Sequence, residues 1–280
     1  MLSAEWAIIL MVGTTTNSSS ALTADDAPRK EPAASDTRHE SPLEAVASYC
    51  AVIVVGLFIL TFIFQNFVIP SGSMENTLLV GDHVLVDRIN LAPPAHWAPF
   101  VRYRNVHRGD IIVFLKPGYP DMYLVKRVIG IPGDHLHLHE GYVYLNGQRQ
   151  DEPQAGHPDY SNYIPYRDEF PNMPTSQGQN VEPVWANDLP NHIQNGDLVV
   201  PPGNYFAMGD NRLPSLDGRY WGFVPRENIV GRPLFVYWSF NSPEDDDEHP
   251  SMADRMQQFK RVVFHFFDQT RWTRTFHIVR

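Results

Sequence analysis

The strongest constraint on this chain is a long segment without charge. No Asp, Glu, Lys or Arg occurs between Glu44 and Glu75, and residues 45–69 are mainly Val, Ile, Leu, Phe and Ala. About 20 apolar residues in a helix cross the hydrocarbon core of a bilayer. The run is too long, and too far from Met1, for a cleaved signal peptide. The sequence therefore predicts a transmembrane anchor at residues 43–68, with a buried core helix as the alternative.

Basic residues on one side of this segment predict its orientation. Arg29, Lys30 and Arg38 precede it, whereas the first basic residue after it is Arg88. Lys and Arg favour the cytoplasmic side of a membrane. We therefore expect a single-pass protein with a disordered cytoplasmic leader at residues 1–42, rich in Ser, Thr, Ala, Asp and Pro, and the bulk of the chain outside.

The segment at residues 69–243 is typical of a mostly β domain. Short runs of β-branched and aromatic residues are bounded by Gly, Pro or Asp, and they lie at residues 80–86, 110–114, 123–129 and 142–145. The pair Asn146-Gly147 predicts a hairpin turn. Residues from about 150 to 190 are rich in Pro, Asn, Asp and Tyr, which indicates a long irregular insertion.

The last segment, residues 244–280, combines two patterns. An acidic run at residues 244–248 indicates a solvated loop. After it, apolar residues recur near helical spacing with basic residues between them. This pattern predicts an amphipathic helix, lying on the domain or on a membrane surface.

Composition narrows the functional classes. The formal net charge is −10, which argues against nucleic acid as a partner, because phosphate binding needs clustered Lys and Arg. The single cysteine, Cys50, allows neither an internal disulfide nor a cysteine zinc site. It falls in the apolar segment, so we expect a buried, inert thiol.

The loop that follows the apolar segment is the first candidate for chemistry. Residues 69–78 read Ile-Pro-Ser-Gly-Ser-Met-Glu-Asn-Thr-Leu, with hydroxyls at Ser71 and Ser73 on either side of Gly72. Such a loop can present a nucleophile together with backbone N–H groups of an oxyanion hole. Alone, it is more typical of a polar turn at a membrane boundary.

A lysine inside an apolar strand is the second candidate. In a strand, Leu124, Lys126 and Val128 share one face. Burial between aliphatic neighbours would lower the lysine pKa, and a neutral amine can accept a proton from a serine hydroxyl. The alternative is an exposed lysine whose stem covers apolar surface.

The third candidate is the turn at residues 205–219, which is crowded with hydrogen-bonding groups. Ser215 can orient a lysine amine there, and Asp217 and Arg219 can pair and fix the loop. An ordinary turn rich in Asp and Asn is the alternative.

Together, in this order after an apolar segment, the three motifs resemble the signature boxes of bacterial type I signal peptidases. They read Pro-Ser-Gly-Ser-Met followed by Thr-Leu, Lys-Arg-Val-Ile-Gly-Ile-Pro-Gly-Asp, and Gly-Asp-Asn-Arg-x-x-Ser-x-Asp-x-Arg. The resemblance covers about residues 67–238 and the anchor. It implies a coiled antiparallel β-sheet catalytic domain on the outer face of the membrane.

The resemblance also implies a role for six residues of a Ser/Lys serine protease. Ser73 corresponds to the nucleophile and Lys126 to the general base. The others correspond to the oxyanion hole (Ser71, with the Ser73 N–H), the orientation of the lysine (Ser215) and the structural pair below the site (Asp217 and Arg219). Two positions depart from the family: Asn76 stands where Pro is usual, and Gly218 where Ser is usual. Neither carries a reacting atom.

The function implied is removal of N-terminal signal peptides from exported preproteins, without metal or cofactor. The family selects small residues, mainly Ala, at the first and third positions before the cut. The implied location is the bacterial cytoplasmic membrane, with the lipid bilayer and a nearby secretion translocon as partners.

Several alternatives remain at this point. His135, His137 and His139 alternate along one predicted strand and could bind a metal, and a Ser-His-Asp triad could use Ser73. Other Ser/Lys peptidases, which include self-cleaving repressors and pilin- or conjugation-type processing enzymes, share the dyad. A non-catalytic membrane-tethered β-domain could bind extended peptides by strand addition.

Overall fold

The computed structural model describes residues 42–59, 63–91, 103–157, 161–241 and 252–279. The chain divides into two units, Met1–Ser48 and Tyr49–Arg280. The predicted leader, residues 1–42, lies outside the described residues except for Pro42, and so does the acidic run at residues 244–248.

The predicted anchor is only partly helical. Helix α1, Pro42–Phe58, has 17 residues and buries none of them. Cys50 on this helix is exposed, so the expectation of a buried thiol was wrong. Within the described part of the chain, none of the helices combines the length and apolarity needed to cross a membrane.

The end of the predicted anchor is a strand. Phe64–Val68 form β1, which pairs antiparallel with residues 83–87. The extension of the predicted anchor to residue 68 was therefore wrong for these residues. Gln65 and Asn66 are partly exposed in the strand, where water and a neighbouring strand satisfy polar groups that a bilayer core would leave unpaired.

In the part of the chain that the structure describes, twelve further strands follow β1. They are β2 (Asp82–Asp87), β3 (Ile111–Leu115), β4 (Tyr123–Gly130), β5 (His135–His139), β6 (Tyr142–Leu145), β7 (Gln148–Arg149), β8 (Ile193–Gln194), β9 (Asp197–Val199), β10 (Asn204–Met208), β11 (Val224–Pro225), β12 (Ile229–Ser239) and β13 (His277–Ile278). The remaining α-helices are α2 (Pro165–Asp168), α3 (Pro183–Asp188), α4 (Gly218–Trp221) and α5 (Met252–Gln269).

The larger sheet has eight strands in the order β1-β2-β12-β3-β4-β10-β11, with β13 paired to β12. All its pairings are antiparallel. Strand β12 shifts register against both of its long neighbours, and such bulges bend a strand and increase its twist. The prediction of a mostly β fold with a coiled antiparallel sheet is confirmed.

Two apolar cores hold this sheet in place. The larger contains Val128, Phe206 and Trp221. The smaller contains Ile69, Met74 and other side chains from β2, β3 and β12. Strand β4 contributes to both, because Leu124 packs on the larger core and Val125 on the smaller.

A second sheet of five strands has the order β7-β6-β5-β9-β8. The predicted hairpin at Asn146-Gly147 is confirmed: both residues have positive φ, 53° and 78°, and Leu145 pairs with Gln148 across the turn. A turn with positive φ at both central residues favours Asn and Gly there. The irregular segment that follows contains α2 and α3.

Candidate active site

The serine loop, residues 71–74, is a turn whose orientation is fixed by a buried methionine side chain. After β1, residues Gly72–Met74 form one turn of 3-10 helix with Ser71 in extended conformation at its start. Met74 is buried in the smaller core, whereas Ser71 is exposed and Ser73 is half-buried. Burial of Met74 therefore sets the orientation of the turn and leaves the two serine hydroxyls accessible.

Lys126 meets this turn from β4. It pairs with Ile112 of β3 and is 3% exposed. Its Nζ lies 2.5 Å from Ser73 Oγ. The face shared with Leu124 and Val128, predicted from strand alternation, is directed towards the larger core.

The environment of Lys126 shifts its protonation equilibrium towards the neutral amine. Burial lowers the pKa of Lys126 to about 8; the Asp217 carboxylate opposes this shift and the Arg219 guanidinium reinforces it. Both effects of charge follow from sign: an anion stabilises the ammonium and a cation destabilises it. An amine with this pKa is still mostly protonated at neutral pH, but a far larger fraction of it is neutral than of an ordinary lysine.

The third motif holds the backbone of the serine loop. Asn211 N–H donates to Ser73 O at 3.1 Å, and Asn211 Nδ2 donates to Gly72 O at 3.1 Å. The backbone of Gly209 approaches so closely that a Cβ there would collide with Ser73 O and with the Ser215 side chain. This close contact requires glycine at position 209.

Asp217 and Arg219 form a buried pair below the site. The Arg219 guanidinium donates to both Asp217 oxygens at 2.8 Å, and Asp217 also accepts from Gly209 N–H at 3.1 Å. Burial alone would raise the pKa of Asp217, but Arg219 and Gly209 N–H hold that pKa below its usual value. Asp217 therefore stays ionised and supports the Gly209 turn.

Ser215 lies beside Gly209 and is 1% exposed. Its hydroxyl helps to hold the pKa of the neighbouring Asp217 carboxyl below its usual value. Among the described residues, no hydrogen bond joins this hydroxyl to the lysine amine, and the orienting role of Ser215 stays a prediction.

A second buried network was not anticipated from the sequence. The Arg127 guanidinium donates to both carboxylate oxygens of Asp210 at 2.8 and 2.7 Å, and Thr77 Oγ1 donates to the same carboxylate at 2.5 Å. These three residues lie in the three motifs, one in each. The available signal was their position inside the motifs. Arg127 follows Lys126 by one position, Thr77 follows Ser73 by four, and Asp210 precedes Ser215 by five.

The two departures from the family have structural explanations. Asn76 is exposed and its Nδ2 donates to Gln154 O at 2.8 Å, which fixes the loop to the segment after β7. At Gly218, a Cβ would lie 2.8 Å from Phe206 Cε2 and 3.0 Å from Ala207 O. Glycine there lets Phe206 pack against the helix start.

A shallow groove opens beside the dyad. It has a volume of about 100 Å³ and contains Ser71, Ser73 and Lys126. Its apolar part is formed by side chains from the end of β1 and from the start of β4, which are Phe67, Val68, Tyr123, Leu124 and Val125. Small apolar side chains suit such a groove.

Two of the three alternating histidines of β5 have acidic partners elsewhere in the fold. His137 Nδ1 lies 2.6 Å from Asp197 and His139 Nδ1 lies 2.8 Å from Glu169. Among the residues that the structure describes, no three His, Cys, Asp or Glu side chains converge as a metal site would require.

Residues 43–238 match the family model described as signal peptidase, peptidase S26. The chain belongs to this signal peptidase family. Members of the family are serine endopeptidases, and so is this chain. Signal peptidase I of Aquifex aeolicus (strain VF5) is 34% identical over 247 residues, which cover 76% of this chain and 90% of the relative.

Signal peptidase I of Buchnera aphidicola is 32% identical over 243 residues, which cover 73% of this chain and 77% of the relative. A solved signal peptidase I from Enterococcus faecalis V583 is 30% identical and covers 46% of this chain and 97% of its own, with a TM-score of 0.29. A TM-score this low supports no conclusion about the fold.

Proposed function

We propose that this signal peptidase family member cleaves signal peptides from exported preproteins by a Ser73–Lys126 dyad. The observation that carries the proposal is the 2.5 Å approach of Lys126 Nζ to Ser73 Oγ, on a lysine that is 3% exposed. A buried, neutral amine beside a serine hydroxyl is the arrangement that activates a nucleophile without histidine.

The acylation step follows from this geometry. With the amine neutral, the Ser73 hydroxyl donates its hydrogen bond to Lys126 Nζ and transfers the proton as Oγ attacks the scissile carbonyl carbon. The negative charge that develops on the carbonyl oxygen is stabilised by the Ser71 hydroxyl and the Ser73 N–H. The Lys126 ammonium then gives its proton to the leaving amine, which departs with the mature protein.

Deacylation uses the same groups. Lys126, neutral again, takes a proton from a water that attacks the Ser73 ester. The tetrahedral intermediate collapses, Oγ regains a proton from Lys126, and the signal peptide leaves with a free carboxylate. Ser215, buried beside Gly209, positions the lysine amine in this scheme, and the Asp217–Arg219 pair keeps the turn rigid.

The groove supports the choice of substrate. Its apolar walls and volume of about 100 Å³ suit a short side chain such as that of Ala before the cut, whereas an aromatic ring would overfill it.

The proposed location is the outer face of the bacterial cytoplasmic membrane. Side chains of α1 such as Val52 and Val54 are 70% and 65% exposed, and no charged residue occurs between Glu44 and Glu75. Apolar side chains without a protein core to bury them favour lipid. In this scheme the lipid bilayer and a nearby translocon deliver the preproteins, and nucleic acid plays no part.

The test is incubation of the detergent-solubilised full chain with a preprotein, followed by mass determination of the products. We expect one cut, after a small residue, and no cut when Phe replaces that residue. Equal cleavage of the Ala and Phe substrates would contradict signal-peptide specificity and favour another Ser/Lys peptidase. Binding of the preprotein without turnover would favour a non-catalytic peptide-binding domain.

A further inference from the structure

Helix α5 presents an apolar stripe to solvent. Met252, Met256, Phe259 and Val263 recur at intervals of three and four residues, which places them on one side of the helix before its backbone departs from helical geometry at His265. We call these four residues the α5 stripe. Their exposed fractions range from 54% at Met256 to 78% at Met252. Among the described residues, neither apolar core includes a side chain of α5.

The rest of the helix surface has polar and basic side chains, among them the exposed Gln257, Lys260 and Arg261. Within Met252–Gln269 the sequence has three basic and two acidic residues, so the helix is weakly positive although the total net charge of the chain is −10. The acidic run at residues 244–248 precedes the helix. A positively charged helix is complementary to an anionic surface.

The end of the helix is firmly attached to the domain. Phe266 packs on Trp238 with ring centroids 6.0 Å apart, and Trp238 Nε1 donates to Thr270 Oγ1 at 3.2 Å. Arg274 then pairs with the buried Asp82 at 2.6 Å. The C-terminal end of α5, after the non-helical residue His265, is therefore anchored to the domain.

The segment after α5 also contacts the backbone that follows the serine loop. Arg274 Nη2 donates to Thr77 O at 3.0 Å, and Arg271 Nη2 donates to Val80 O at 2.9 Å. Thr77 and Val80 follow Ser73 by four and seven residues. Whatever binds α5 is thus connected by two arginines to the backbone just after the nucleophile.

We propose that α5 is a second membrane contact, lying in the headgroup region of an anionic bilayer with its apolar stripe towards the acyl chains. An apolar side with Lys and Arg elsewhere on the helix surface is typical of helices that lie in the plane of the interface. Lys260 and Arg261 interact with anionic headgroups in this orientation. The inference depends on the proposed function only in placing the domain at a bilayer.

The test measures the depth of single labels in the full chain. Cys50→Ser removes the only cysteine, and Phe259→Cys then places an environment-sensitive fluorophore on the stripe. Gln257→Cys is the matched control, two residues away and also exposed. Each labelled chain is reconstituted in vesicles of phosphatidylcholine and phosphatidylglycerol and quenched either by spin-labelled lipid or by aqueous iodide.

We expect the label at position 259 to be quenched by spin-labelled lipid and shielded from iodide, and the label at position 257 to show the reverse. Lys260→Glu with Arg261→Glu should increase iodide quenching at position 259. Equal iodide quenching at both positions would overturn the proposal. Shielding of position 259 that increases with the protein-to-lipid ratio would also overturn it, because a second copy of the chain would then cover the stripe. Shielding that requires added preprotein would overturn it as well, because a signal peptide would then cover the stripe.

Preprotein cleavage is measured in the same vesicles to separate the two proposals. Normal cleavage with an iodide-accessible label at position 259 would overturn the membrane role of α5 and leave the dyad intact. A lipid-quenched label in a chain without peptidase activity would do the opposite.

Discussion

At Lys126, burial and the nearby Asp217 carboxylate change the pKa of the amine in opposite directions. The apolar surroundings lower the lysine pKa from 10.5 to about 8, even though the Asp217 carboxylate acts in the opposite direction. The amine is therefore mostly protonated at neutral pH, and a modest rise in pH converts it into a base. This balance at one side chain makes two predictions about pH.

The first prediction concerns the rate. Only the neutral amine accepts the serine proton, so kcat/KM should rise about tenfold per pH unit below the Lys126 pKa and level off above about pH 8. Lys126→Arg should be inactive, because a guanidinium stays protonated. A pH–rate profile with both proteins checks this. A flat profile from acid to alkaline pH, or an active arginine variant, would exclude the lysine as the base.

The second prediction concerns stability. A pKa lowered from 10.5 to about 8 means that the folded state below pH 8 must bury a charge or lose a proton. This costs about 3 kcal/mol. Lys126→Met should therefore be more stable than wild type below pH 8, with a difference that shrinks as pH rises towards 10.5. Denaturant unfolding at several pH values measures it, and a difference independent of pH would contradict the burial argument.

At the scale of elements, the Asp210 network ties β4 and the end of β10 to the serine loop. Asp210 is fully buried and Arg127 is 7% exposed. Removal of one partner of a buried pair leaves an uncompensated charge and typically costs about 3–5 kcal/mol. Asp210→Asn should therefore lower the free energy of unfolding by this order.

Asp188→Asn is the control for this third prediction. Asp188 pairs with His192 across an exposed surface, where removal of an ion pair changes stability by about 1 kcal/mol or less. Denaturant titration of both variants tests the difference. Equal, small changes in the two would show that the Arg127–Asp210 pair does not hold the motifs together.

Strand β4 shows what sequence could establish at this scale and what it could not. Alternation placed Lys126 with Leu124 and Val128 correctly, because a strand has a period of two. The same rule predicts that Arg127 faces away, but it cannot identify Asp210, 83 residues later, as its partner. The assignment of residues 64–68 to the anchor was wrong for a related reason. Five mostly apolar residues are compatible with a helix or a strand, and these residues form a strand because they pair with β2.

At the scale of the molecule, motif order was more informative than any single pattern. Three boxes spread from Ser71 to Arg219 indicated one site, and the structure brings Ser73, Lys126, Ser215 and Asp217 together. Composition could not locate α5 against Trp238, because long-range packing depends on contacts that no local pattern encodes. The Asp210 network was missed for the same reason.

The fourth prediction concerns topology. With basic residues before the apolar segment and none between it and Arg88, the domain after Ser73 should lie outside the cytoplasmic membrane. Protease added to intact spheroplasts should digest that region, with a cytoplasmic marker protein as the intactness control. Digestion that occurs only after lysis would reverse the orientation.

The most direct test of the central claim is the turnover of a preprotein by wild type, Ser73→Ala, Lys126→Ala and the double variant in one assay. Groups that act as a unit lose activity non-additively. We predict that each single variant is inactive while still folded, and that the double variant is no slower than either. Turnover that persists in Ser73→Ala, or a double variant slower by the product of the two single effects, would contradict the Ser73–Lys126 dyad.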